Sequence, residues 1–199
     1  MAVSKDPILK RCRYLGISPM VMGINKKSMR FEKAGPNRKK VSEYGMQLKE
    51  KQKLKFIYGM METPFRHYFE LADKMEGKAG DNLITLLESR LDNVAYRAGY
   101  ALTRREARQL VGHGHFTVNG KKVDIPSYRV NVGDVIAVKE KSRTGAKFKD
   151  VVEQTAGRTT PLWLDVNKDA FSATVNRLPN PSDIDYEAET HLIVELYSK

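Results

Sequence analysis

The sequence predicts an α+β fold: an irregular basic arm, then helices, then a unit in which helices lead into a β-hairpin and further strands. Three observations predict it. Apolar residues recur at helical spacing in two runs, Phe65, Tyr68, Phe69, Ala72, Met75 and Leu83, Leu86, Leu87, Leu91, Val94, Ala98. Thr103-Arg104-Arg105-Glu106 is a capping box, with Thr at the N-cap and Glu three residues on. Asn119-Gly120 stands between Phe116-Thr117-Val118 and Lys121-Lys122-Val123, the preferred pair for a type I′ hairpin turn.

In chain order, residues 1–41 carry Gly16, Pro19, Gly23, Gly35 and Pro36 with little periodic pattern, so they are expected to be an irregular arm that orders against a partner. Ser42 caps a helix running to about Ile57. Along it Lys49/Lys53 and Lys51/Lys55 form two i,i+4 like-charge pairs, opposed nearby only by Glu50. Such pairs cost a few tenths of a kcal/mol each, a repulsion that nearby phosphate would relieve. Thr63-Pro64 reads as N-cap and first residue of the next helix, which Gly77 and Gly80 end. Asp81 then caps a third helix whose leucine stripe runs to Gly99. After the capping box, Ala107, Leu110 and Val111 face inward and Gly112 stops the helix. A strand pair is expected around Gly133-Asp134, from Val130 and Val132 to Val135–Val138. Over 141–160 the pattern weakens while Lys141, Arg143, Lys147, Lys149 and Arg158 appear. Phe171, Ala173 and Val175 alternate as in a strand, and His191–Tyr197 is apolar with an ambiguous period.

The charge is uneven. The net charge is +11, yet residues 1–60 hold 15 Lys and Arg against 4 Asp and Glu, while residues 181–199 hold 1 against 5. Basic excess gathered at one end fits a polyanion, whose neutralisation releases counterions. A merely solvated basic surface is the bland reading, and an acidic membrane the weaker one, since no wide apolar helix face accompanies the charge. No run of about 18 apolar residues exists and the start has no apolar signal core, which points to a cytoplasmic protein. Cys12 is the only cysteine, so no internal disulfide forms, as expected in a reducing compartment.

The helix that begins at Arg104 has cations at its positive end. Arg104 and Arg105 lie in the first turn and Arg108 one turn on, where Asp or Glu would be favoured by about 0.3–1 kcal/mol apiece. Free N–H groups, helix dipole and guanidinium forks would all favour an anion there. With Lys121 and Lys122 at the hairpin tip, and His113 and His115 between, the expected surface is a phosphate clamp; exposed, solvated arginines are the alternative.

Residues 90–136, RLDNVAYRAGYALTRREARQLVGHGHFTVNGKKVDIPSYRVNVGDVI, closely resemble the RNA-binding S4 domain. Residues 42–59, SEYGMQLKEKQKLKFIYG, and the ending HLIVELYSK resemble segments of the bacterial S4 family of small-subunit ribosomal proteins, so the similarity spans nearly the whole chain. The resemblance implies a helical lobe over 42–89 completed by 178–199, with an RNA-binding α+β lobe over 90–177, its S4-like core at about 90–150, inserted between. It further implies a primary binder of small-subunit (16S) ribosomal RNA that nucleates assembly, touches neighbouring small-subunit proteins, and helps line the channel through which messenger RNA enters, with a share in translational accuracy. Arg38, Lys39 and Lys40 would face that channel. The remaining expected RNA contacts are Lys10, Arg11, Arg13, Arg30, Tyr44, Lys49, Lys51, Lys53, Lys55, Tyr58, Arg66, Arg104, Arg105, Arg108, His113, His115, Asn119, Lys121 and Lys122. Autoregulation, known in some members, is not carried over.

Some members bind zinc through several arm cysteines; Cys12 alone cannot build a four-ligand site, and it reads as an inert packing residue. His113 and His115 are too few for a metal. No P-loop, GxSxG, HExxH or GxGxxG occurs, so neither a catalytic set nor a cofactor is expected. A stand-alone RNA-binding regulator is the closer rival; an RNA-modifying enzyme is the rival from another class.

Overall fold

Helix α1, Ile8–Leu15, lies inside the stretch whose glycines and prolines suggest irregular backbone. That expectation fails here because Ile8, Cys12 and Leu15 share one helical face despite the flanking charge, and Gly16 closes the helix at φ 73°. Ser18 then caps a 3₁₀ turn, Pro19–Met22. Cys12, Leu15, Ile17, Val21 and Met22 are all buried. The computed structural model describes residues 6–25 and 42–198. No helix among them is long and apolar enough to cross a membrane. The chain divides into two units, Met1–Leu83 with Ile184–Lys199, and Ile84–Asp183.

In the first unit α2 spans Glu43–Ile57, and Ser42 Oγ accepts from Gly45 N at 3.2 Å, as its position predicts. Its buried stripe is partly polar: Gln47, Lys51, Leu54 and Ile57. Helix α3, Glu62–Lys74, starts two residues before the expected site, with Met61 and not Thr63 as N-cap. Pro64 still falls in the first turn, where its missing N–H has no helical acceptor to lose. Phe65, Tyr68, Phe69 and Ala72 are buried as their spacing predicts, but Met75 lies past the helix end and is exposed. Helix α4, Ala79–Glu88, of which residues 79–83 belong to this unit, takes in Gly80 and begins before Asp81, which is a first-turn residue and not the cap. Gly80 is there because a Cβ would meet Thr190 Oγ1 at 2.5 Å. The apolar C-terminal end is a helix, Thr190–Tyr197, which packs on α2 through buried Ile193 and stacks Tyr197 on Phe69 at 4.6 Å.

In the second unit the expected continuous helix to Gly99 is broken. Helix α5 is Leu91–Arg97, and Arg90 is extended, bridging Arg129 in antiparallel fashion. Val130 N donates to Ser89 O at 2.9 Å and Leu91 N to Tyr128 O at 2.8 Å, so this backbone pairs with a distant strand-like segment. The leucine stripe is buried across the break all the same. Helix α6 spans Arg104–Gly112. Strands β1 (Phe116–Val118), β2 (Lys121–Lys122) and β3 (Val135–Val138) follow. Residues 130–132 form no strand with β3; its partners are β1 and β5. Two helices, α7 (Glu140–Arg143) and α8 (Ala146–Gln154), fill the stretch of weak pattern. Strands β4 (Leu164–Asn167) and β5 (Ser172–Val175) complete a sheet of order β2-β1-β3-β5-β4, antiparallel throughout. The C-terminal helix, Thr190–Tyr197, is α9. Trp163, Tyr100, Phe116 and Ile136 are fully buried in the core of this α+β unit.

Candidate nucleic-acid interface

The start of α6 is built as its sequence suggests. Thr103 Oγ1 accepts from Glu106 N at 3.1 Å, and Glu106 Oε2 accepts from Leu102 N at 2.9 Å. The cations divide. Arg104 is only 6% exposed, so it does not stand on an open clamp. It shares the inward face of Ala107 and Val111, its Nε donates to Asn93 Oδ1 at 2.9 Å, and its guanidinium lies 4.4 Å from the Tyr96 ring centre. Arg105 and Arg108 are half-buried on the same helix.

At the other end of α6, exposed His113 is the C-cap and Gly114 turns the chain at φ 72°. A Cβ on Gly114 would collide with the Lys122 side chain, so the glycine lets that lysine pack over the helix end. The hairpin turn has positive φ at both central residues, Asn119 at 50° and Gly120 at 77°, as type I′ requires. The Asn119 amide is engaged: Nδ2 donates to Asp134 Oδ1 at 2.8 Å and Oδ1 accepts from Val135 N at 2.9 Å, pinning the hairpin to β3. Lys121 and Lys122 are exposed, and Lys122 forms a loose pair with Asp124 at 3.4 Å. As strand neighbours the two lysines point to opposite faces.

His115 is where these elements meet. Lys139 N donates to its carbonyl at 2.8 Å, its Nδ1 is 2.9 Å from Ser142 Oγ, and its ring meets Phe148 edge-on at 5.7 Å. Burial, then the positive charge of His113, Lys147 and Lys139, push the imidazole below the ordinary histidine value. Lys147 also approaches Glu106 at 3.4 Å, beside the start of α6. Lys139, Lys141, Lys147 and Lys149 are all exposed. Sequence reasoning did not include them among the site residues. The missed signal is Phe148, Val151, Val152 and Thr155, whose helical spacing places lysines on the outer side of α8. Arg143 and Arg158 are structural instead: the first donates to Val138 O at 2.6 Å, the second to three backbone carbonyls.

In the first unit the expected contacts also sort themselves. Lys51 is buried and donates to Glu62 Oε1 at 2.6 Å, Lys55 donates to Glu62 Oε2 at 2.9 Å, and Lys53 pairs with Glu50 at 3.3 Å. The repulsion expected along α2 is thus relieved mainly by a carboxylate from α3, which sequence proximity to Glu50 could not reveal. Tyr58 is 4% exposed and its hydroxyl meets that of Tyr186 at 2.7 Å, so its ring is not offered for stacking. Arg66 pairs with Glu70 on the surface at 3.2 Å. Arg11 donates to Asp6 at 2.8 Å and Arg13 to Leu9 O at 3.3 Å. Lys10 and Tyr44 are exposed, and Lys49 makes no ion pair among the described residues. Arg30, Arg38, Lys39 and Lys40 lie outside the described residues.

Residues 89–136 match the S4 domain family, and residues 4–88 match the family described as ribosomal protein S4/S9 N-terminal domain. The two matches abut, which defines a ribosomal protein carrying an RNA-binding S4 domain. Over the full length of both chains, the sequence is 53% identical to small ribosomal subunit protein uS4 of Lachnospira eligens and 55% identical to that of Agathobacter rectalis. It is 61% identical to the Clostridioides difficile protein of the same name over 83% of this chain and 79% of that one. The chain belongs to the family of small ribosomal subunit protein uS4.

Proposed function

We propose that this chain is a structural component of the small ribosomal subunit that binds 16S ribosomal RNA early, nucleates assembly, and catalyses no reaction. One observation carries the RNA reading: the end of α6, the β3–α7 junction and α8 meet at His115, whose carbonyl accepts from Lys139 N at 2.8 Å and whose ring packs on Phe148 at 5.7 Å, so the exposed Lys122, Lys139 and Lys147 gather around it. Helix, hairpin and lysine-rich α7–α8 segment thereby offer donors from separate elements to one phosphate backbone, with Arg105, Arg108, Lys122, Lys139 and Lys147 as its cations; Lys121, on the opposite face of its strand, is left out. Phosphate contacts of this kind set position and register, while base edges supply sequence information. In the first unit Lys10, Tyr44 and Lys49 supply contacts; Arg38, Lys39 and Lys40 of the arm face incoming messenger RNA and tune accuracy, next to neighbouring small-subunit proteins.

The test is binding of the purified chain to transcribed 16S ribosomal RNA against a transfer-RNA competitor, across salt. About five phosphates engaged at the second unit give a log–log slope of roughly −3.5 to −4.5. A flat salt dependence, or no preference for ribosomal RNA, rejects the reading. Sedimentation of cell extract separates the rival: a stand-alone regulator stays out of small-subunit particles, whereas a structural component is stoichiometric in them.

A further inference from the structure

Nineteen residues beyond the end of the S4-domain match, the turn after α8 begins at Thr155, reaches back to the end of α5 and its link to α6, and ties their carbonyls. Thr155, 3% exposed, donates from Oγ1 to Gly99 O at 2.7 Å. Arg158 donates from Nη1 to Tyr96 O at 3.1 Å and Ala101 O at 3.2 Å, and from Nη2 to Leu102 O at 3.1 Å. Its guanidinium carbon lies 4.5 Å from the Tyr96 ring centre. Both residues stand outside the stretches that match either family, which cover 4–88 and 89–136.

We propose that Thr155 and Arg158 are positioning residues for the RNA-facing helix: they fix the turn from which α6 departs, and so the direction of Arg105 and Arg108. This rests on the reading of α6 as part of the RNA face. Three features of the contact favour positioning over a direct role. The carbonyls it engages are spread from the end of α5 to the last residue before the Thr103 cap, at residues 96, 99, 101 and 102, so the turn is held at both ends. The approach is close: a Cβ on Gly99, whose φ of 82° already favours glycine, would stand 3.0 Å from Thr155 Oγ1. Arg158 spends both terminal nitrogens on the protein's own backbone, in a planar fork that lysine cannot reproduce.

The experiment measures affinity of the full chain for transcribed 16S ribosomal RNA, with thermal melts confirming that each variant is folded. Arg158→Lys keeps the charge and loses the fork; Thr155→Val keeps the shape and loses the hydroxyl; Thr155→Ser restores the hydroxyl. Arg158→Lys and Thr155→Val are expected to weaken binding roughly threefold to thirtyfold, and Thr155→Ser to restore it. Combined with Arg105→Ala/Arg108→Ala, the Arg158→Lys effect should disappear, because a misdirected helix has no contacts left to misdirect. Wild-type affinity in folded Arg158→Lys and Thr155→Val overturns the proposal, as does an Arg158→Lys loss that is undiminished in the double-alanine background. Should one variant fail to fold, the other decides. If Arg105→Ala/Arg108→Ala alone leaves affinity unchanged, the interface reading of α6 itself fails, a result distinct from failure of the strap.

Discussion

The guanidinium of Arg104 lies 4.4 Å from the centre of the Tyr96 ring, and Arg158 lies 4.5 Å from the same centre. One tyrosine, itself buried, thus accommodates two cations from segments more than fifty residues apart in sequence. A cation in the first turn of α6 works against the helix dipole, and the ring face together with Asn93 Oδ1 offsets that cost. Arg104 therefore belongs to the scaffold, which leaves Arg105 and Arg108 as the cations of this helix in the proposed RNA contact.

Arg104→Ala should accordingly act on stability. Losing the ring contact and the charged hydrogen bond to a buried amide is expected to cost about 2–4 kcal/mol in urea unfolding. Arg105→Ala should change stability by less than about 0.5 kcal/mol while weakening RNA binding. Equal stability losses for both would contradict this division of roles.

The same network contains a buried ion pair. Arg97 grips Glu88 with Nη2 to Oε1 at 2.9 Å and Nε to Oε2 at 3.0 Å, and Asn93 Nδ2 adds a bond to Oε2 at 2.8 Å. Side-chain exposure is 8% for Arg97 and 1% for Glu88. Glu88→Gln would remove the buried carboxylate charge that Arg97 grips and should cost about 3 kcal/mol. The exposed pair Arg66–Glu70 is the contrast: Arg66→Ala should cost no more than about 0.5 kcal/mol. Denaturant titration of both variants measures the difference.

What was readable in the chain was chemistry confined to a few neighbouring residues. The Thr103–Glu106 cap and the Asn119-Gly120 turn appear where expected because each is specified within four residues. The break at Ser89-Arg90 was not readable, since it is made by pairing with 128–130, and the leucine spacing continues through it. Lys51 and Lys55 looked like free cations because their carboxylate, Glu62, comes from the next helix. Arg104 is legible by spacing, since counting from Ala107 and Val111 puts it on the inner face, but a charged residue type by itself favours the outer one. Helices α7 and α8 were hidden by their brevity and their lysines.

Glu62 makes the first unit sensitive to acid. Burial alone would raise its carboxyl, but hydrogen bonds from Lys51, Lys55 and Tyr197 outweigh it and hold the group at about 2, against an ordinary 4.5. A depressed carboxylate contributes stability that is complete above the unfolded value and is lost as pH falls from 4.5 towards 2. Its side chain is 45% exposed, so solvent and salt reduce the size of the effect. Glu62→Gln should cost about 1–2 kcal/mol at neutral pH. It should also flatten the loss of stability between pH 4.5 and 2, followed by urea melts; an unchanged acid limb would refute the assignment.

His115 predicts the pH dependence of RNA binding. In the free protein, burial and the positive charge of His113, Lys147 and Lys139 hold its value below 6.5. Neutral histidine is thus favoured in the fold, and its contribution to stability is complete above 6.5 and declines as pH falls through the folded value. Phosphates laid across Lys139 and Lys147 would reverse the local potential and raise the histidine value in the complex. A group that is easier to protonate when bound takes up a proton on binding, so affinity must rise as pH falls. At constant ionic strength the chain should bind 16S ribosomal RNA more tightly at about pH 5.5 than at about pH 8. His115→Gln, which keeps a polar side chain but cannot titrate, should remove most of that gain. Identical pH slopes for the two proteins would place the RNA backbone away from His115.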